Sequence, residues 1–192
     1  MLSEITASLE LIVLQTKENA PFLLNIVTLL FICFLLGRIF HPLLFLGIIP
    51  RKLYGLPGIF ISPFLHLNFN HFFFNTIPLV VLSNFILLGG FEYYLQVTFY
   101  IMLGSGILIW LFARSAIHIG ASAVITGYWA FLVINSYEQG SITAIILGGI
   151  CVYYFLGIFL GIFPNEKGVS WEGHLFGLIT GGVTSLHFNN LL

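Results

Sequence analysis

From residue 21 onward the chain consists of long apolar runs separated by short polar, glycine-containing or proline-containing breaks. The runs cover about 21–40, 71–90, 94–113, 122–137, 141–163 and 172–190, and each is apolar all round. Stretches of about 20 apolar residues have the length to cross the hydrocarbon layer as helices. The strict alternation that marks a transmembrane β-strand is missing, so the pattern predicts an all-α polytopic membrane protein, a bundle of six transmembrane helices. The breaks are compact: Gly89-Gly90 with Glu92, residues 114–120, Glu138-Gln139-Gly140 and residues 164–170.

Two segments differ from the runs. Residues 1–20 carry Glu4, Glu10, Lys17 and Glu18 and lack the basic start and small-residue cleavage site of a signal peptide, so they read as a retained amphipathic N-terminal segment. Residues 41–70 contain Pro42, Pro50, Pro57 and Pro63 among aromatic and aliphatic residues. Each proline removes an amide donor and clashes with the preceding turn, which forbids one long helix and predicts an interfacial loop with short helices.

Composition narrows the class. Of 192 residues 59% are hydrophobic and 7% charged, against about a quarter charged in a soluble domain, and mean hydropathy is +1.06. The lipid bilayer is therefore the chain's first partner. A net charge of -1 and pI near 6.6 leave no basic footprint, which sets nucleic acid aside. Cys33 and Cys151 lie inside apolar runs and have no metal-ligand spacing.

If six helices alternate in direction, the loops after spans one, three and five open on the same side. His66 and His71 enter the second span there, His118 and Ser122 the fourth, and His174 the sixth. Polar side chains are costly in hydrocarbon, so their convergence is a site hypothesis. His71 and Asn75 share one face of the second span by their i,i+4 spacing. On the sixth span His174, Gly177, Gly181 and Ser185 form one stripe, and Ala123, Gly127 and Ala130 form a matching stripe on the fourth. Small residues in that spacing let helices approach closely, which would bring Ser122 and His174 to one depth.

A serine hydroxyl becomes nucleophilic when a base removes its proton, and neutral imidazole has a suitable pKa. Ser122 and His174 are such a pair, with His71, Asn75 and the Ser122 amide as donors for an oxyanion. The chain contains no Asp, so a Ser-His-Asp triad is impossible, and Glu172, two residues from His174, points off its helical face. Ser122 alone would read as a helix N-cap. His41, His118 and His187 have no motif partner and read as interfacial, and Trp110, Trp129 and Trp171 as interface anchors or lipid contacts. Converging histidines also suggest zinc, but the His-Glu-x-x-His pattern is absent and neither Cys nor Asp completes a site, so no metal and no cofactor are expected.

Across about residues 60–185 the sequence resembles the rhomboid intramembrane serine proteases. HLNFNHFFFN, His66 to Asn75, is similar to the family's His-x4-His-x3-Asn at the start of the second span. GASA, Gly120 to Ala123, resembles Gly-x-Ser-x before the fourth, and GHLFGLITG, Gly173 to Gly181, the small-His-x2-Gly-x3-Gly pattern of the sixth. The resemblance implies a six-helix rhomboid fold, with Ser122 as nucleophile, His174 as general base and then acid, and His71 and Asn75 as oxyanion donors. It makes His66 a structural residue of the loop, and Gly120, Gly177 and Gly181 structural residues near the site. Ala123 and Gly173 stand where the family commonly has Gly and Ala. Thr126 stands where many members stack Tyr or Phe on the imidazole, and Thr126→Tyr is expected to be tolerated or to improve turnover.

The implied activity is cleavage of single-span transmembrane protein substrates. The alternative is a catalytically inactive rhomboid-like protein that binds or escorts membrane clients, although such relatives typically lack the serine or histidine. A transporter is disfavoured because no span carries Lys, Arg, Asp or Glu near its middle. The resemblance implies residence in a bacterial inner membrane with the active site on the extracytoplasmic side. The positive-inside rule points the other way, since Arg38, Arg51, Lys52, Arg114 and Lys167 lie at the active-site end and Lys17 alone at the other.

Overall fold

A computed structural model describes residues 2–160 and 170–189. The expected spans correspond to α1 (Leu2–Ile39), α3 (Phe69–Leu87), α4 (Phe91–Phe112), α5 (Ser122–Gln139), α6 (Ile142–Leu160) and α7 (Trp171–Asn189). A one-turn helix, α2 (Gly58–Ile61), lies in the long loop between α1 and α3. Among the described residues no strand forms, and the extended pairing is the isolated antiparallel bridge between Ile48 and His118. The chain is an all-α membrane protein. Ser3–Ile39, Phe69–Leu87 and Phe91–Phe112 are each long and apolar enough to cross a membrane on their own, whereas Ile142–Gly157 is a shorter apolar helix. The expected ends of the last two spans, 161–163 and 190, lie outside the described residues.

Helix α5 is the centre of the bundle. Every residue from Val124 to Leu132 is buried, because α3, α4, α6 and α7 all pack around it. Its closest neighbour is α7, and glycines set the approach. A Cβ on Gly177 would collide with the Ala123 carbonyl and Thr126 Oγ1, and one on Gly181 with the Gly127 carbonyl. The outer helices face outward with large apolar side chains such as Phe74, Tyr153 and Val183, as lipid contact requires.

One boundary differs from expectation. Residues 1–20 were expected to form a segment separate from the first span, but from Leu2 the helix runs unbroken through Pro21 to Ile39. Proline deletes one intrahelical bond. Tertiary contacts hold the segment before it in line: Asn19 Nδ2 donates to Asn84 Oδ1 (3.1 Å), Asn84 Nδ2 to Thr16 Oγ1 (2.8 Å), and Thr143 Oγ1 to Ser8 Oγ (3.0 Å). The loop at 41–70 is built as its prolines predict, from 3₁₀ turns at His41–Leu46, Leu53–Gly55 and Ser62–Phe64 around α2. It buries Ile48, Ile59 and Leu65 and turns Phe45, Leu53 and Tyr54 outward.

Candidate active site

The end of the bundle at which α3, α5 and α7 begin carries the predicted chemistry. Asn68 caps α3: its side chain accepts the His71 amide at 2.8 Å, which satisfies one of the helix's orphan donors. His71 Nδ1 accepts a long bond from the Leu67 amide (3.5 Å). In the neutral ring that network assigns the proton to Nε2. Nε2 packs on Gly120, whose φ of +107° and lack of a side chain both suit glycine, since a Cβ would meet the imidazole. The Gly120 amide donates to Ser62 O at 2.9 Å, which ties this turn to the long loop. One turn along α3, buried Asn75 donates Nδ2 to the His71 carbonyl at 2.7 Å and keeps its second N–H.

Ser122 is the first residue of α5, and Ala121 occupies the N-cap position without a side-chain hydrogen bond. Ser122 is therefore not the N-cap that it resembles in isolation. The helix's own bonding begins with the Ile125 amide on Ala121 O (2.9 Å), so the amides of Ser122 to Val124 point out of the helix end without a side-chain acceptor on Ala121. A helix N-terminus left in this state favours negative charge.

His174 lies in the first turn of α7 and is partly exposed. Helices α5 and α7 both begin at this end and pack directly on one another. Gly177 seats against Thr126, and one turn back toward the site from each lie His174 and Ser122. His174 is also close enough to His71 for their charges to interact. Ser122, Gly120 and Gly173 line one small cavity of about 20 Å³ together with Ser62, Ser105, His118 and Ser170.

His66 is buried to 1% exposure, edge-on to His71 (ring centroids 5.1 Å) and to Phe72 (5.7 Å), and neither ring nitrogen makes a hydrogen bond. Burial, and secondarily the neighbouring His71, disfavour its imidazolium and lower its pKa to about 4, against a weaker opposing pull from the Phe64 backbone. Among the described residues no three His, Cys, Asp or Glu side chains gather as metal ligands.

Two of the sequence expectations are corrected. His118 is buried rather than interfacial: Nδ1 lies 2.7 Å from Ser170 Oγ and Nε2 3.0 Å from Arg114 O. Burial is the main reason that its pKa falls below the ordinary value. Trp129, read as an interface anchor or lipid contact, is buried within the bundle and donates Nε1 to Cys151 O at 3.0 Å. Sequence reasoning also missed Arg51, which sits at φ 59° and reaches the carbonyls of Leu111 (3.1 Å) and Ala113 (2.8 Å). Glu172 does turn off the His174 face, and it is buried against Arg114 Nε at 3.3 Å. A Ser170 N-cap is legible as a serine just before an apolar helix, whereas partners more than 50 residues away follow no periodicity.

Fold and site define a class: a polytopic helical membrane protein with serine, imidazoles and a carboxamide gathered at one end. The chain belongs to the Rhomboid domain family, which matches residues 51–189. It is 36% identical over 148 residues to uncharacterized proteins of Mycobacterium bovis and Mycobacterium tuberculosis, covering 72% of this chain and 62% of theirs. An uncharacterized protein of Mycobacterium leprae is 35% identical over 139 residues, covering 67% of this chain and 54% of its own. The chain thus spans about three fifths of the length of the first of these relatives.

Proposed function

We propose that this rhomboid-family protein is an intramembrane serine endopeptidase that cleaves single-span transmembrane protein substrates through a Ser122–His174 dyad. The observation that carries this reading is the start of α5: Ser122 opens a helix whose first amides have no side-chain cap, beside a His71 ring whose Nε2 packs on Gly120. Ser122 Oγ attacks the scissile carbonyl carbon as His174 takes its proton. The carbonyl oxygen becomes an oxyanion that accepts from the Ser122 amide, Asn75 Nδ2–H and His71 Nε2–H. His174 returns the proton to the leaving amine as the C–N bond breaks, and a water repeats the sequence on the acyl-enzyme. The reaction calls on no metal or cofactor. The six long helices are read as six spans, in a bacterial inner membrane, with the site on the extracytoplasmic side.

Purified protein in detergent is expected to cut a labile single-span substrate, and to do so in excess chelator. Ser122→Ala should abolish cutting with little change in Tm. Asn75→Ala should cost about 10²-fold or more in rate. Full activity in Ser122→Ala, or loss of activity in chelator, would overturn the reading. A wild-type protein that binds such substrates without cutting them would establish the client-binding alternative.

A further inference from the structure

The two candidate catalytic segments are tied together away from the reacting atoms. Loop 113–121 leads into Ser122, and Ser170 caps the helix that carries His174. His118 joins them. With its Nε2 donating to Arg114 O (3.0 Å), its Nδ1 accepts the Ser170 hydroxyl (2.7 Å), and Ser170 Oγ in turn accepts the Gly173 amide (3.3 Å), next to His174. This chain of bonds has one consistent direction in the neutral tautomer. The backbone of His118 is fixed independently, by paired bonds with Ile48 (2.9 and 3.0 Å). Beside it Arg114 and the buried Glu172 make a second link between the same two segments. His118, Ser170 and Gly173 share the cavity that Ser122 lines, so a shift in this link is felt at the nucleophile.

We propose that the His118–Ser170 hydrogen bond is a positioning clasp that sets the first turn of α7, and with it His174, against Ser122. His118 is thus a positioning residue, not a catalytic one. The proposal rests on the protease reading, since it assigns the clasp an effect on the dyad. Both segments also have other anchors, so losing the clasp loosens the alignment of the dyad and leaves the bundle assembled.

The test uses the full chain, purified in detergent, with a single-span substrate and a fluorophosphonate probe that reports the reactivity of Ser122. His118→Leu and Ser170→Ala are each expected to lower kcat about 10-fold to 100-fold with KM within twofold, and to slow probe labelling in proportion. The double variant should lose no more than the worse single one, because both remove the same bond. His118→Asn, whose Oδ1 can still accept the Ser170 hydroxyl, should recover a large part of the loss. Single variants within twofold of wild type, multiplicative losses in the double variant, or a change confined to KM would overturn the clasp. If wild type neither cleaves nor labels at Ser122, the protease reading fails and the clasp's catalytic role falls with it. An active wild type with unaffected variants removes the clasp alone.

Discussion

Gly181 on α7 rests directly on the backbone carbonyl of Gly127 on α5, with no side chain between them. One turn toward the site Gly177 meets the Ala123 carbonyl and Thr126 Oγ1, so two glycines set the separation of α5 and α7 on which the proposed Ser122–His174 dyad depends. Gly181→Ala would drive a methyl into backbone that cannot rotate away. Overpacking of this kind costs typically 1–3 kcal/mol. Thermal unfolding in detergent should show a clear fall in Tm, together with lost cleavage. Gly149 on α6 has open space around its Cα, and Gly149→Ala should stay within about 0.5 kcal/mol. Equal effects at the two positions would mean that α5 and α7 do not pack this closely.

Thr126 reverses an expectation drawn from resemblance. An aromatic there was expected to be tolerated, but Thr126 is 1% exposed, with Oγ1 at 3.0 Å from both Ser122 O and Ala123 O and with Gly177 against it. A tyrosine ring has no space unless α7 moves outward. Thr126→Tyr should therefore lower Tm and activity together, whereas Thr126→Ser, which keeps the hydroxyl, should retain most of both. A stable, active Thr126→Tyr protein would show that α5 and α7 have room to separate.

The difference between what was legible in the sequence and what was not has a physical basis. The stripe Gly177–Gly181 and the pair His71–Asn75 follow helical periodicity, so spacing alone puts each on one face. The same holds for the spans, whose apolar length is dictated by lipid. His118 and Arg51 escape because each is fixed by a bond to a carbonyl or hydroxyl brought near by the fold, and no local pattern marks such a partner. The boundary placed at residue 21 errs for the opposite reason: the change there from charged to apolar residues is a strong local signal, but the helix runs through it, held by contacts from Asn84 and Thr143.

His66 makes acid stability testable. Its folded pKa of about 4 lies below the ordinary histidine value of about 6.5, so between those values the unfolded chain binds the extra proton. Stability contributed by the neutral ring is complete above about pH 6.5 and is lost progressively as pH falls toward 4. His118 is shifted in the same direction and adds to the trend. In His66→Phe, which keeps an aromatic ring against Phe72, the fall in Tm from pH 7 to pH 4.5 should be smaller than in wild type. An unchanged pH dependence would show that His66 is solvated and titrates normally.

Orientation in the membrane pits two arguments against each other. Arg38, Arg51, Lys52 and Arg114 lie at the site end, while Lys17 lies toward the other end; Lys167 falls outside the described residues. By the positive-inside rule that end would face the cytoplasm. Arg51, however, is folded onto the carbonyls of Leu111 and Ala113, and Arg114 is paired with Glu172, so both are accommodated by the bundle on either side of the membrane. The family orientation, with the site outside, is therefore the expected one. Position 168, a natural choice for labelling between α6 and α7, lies outside the described residues, so the exposed Ala116 serves instead. In an Ala116→Cys variant with Cys33 and Cys151 replaced, a membrane-impermeant maleimide should react in intact cells. Reaction only after lysis would mean that the basic residues govern insertion. The outcome also fixes the compartment that receives the released fragment, because the substrate is cut at the face on which the site opens.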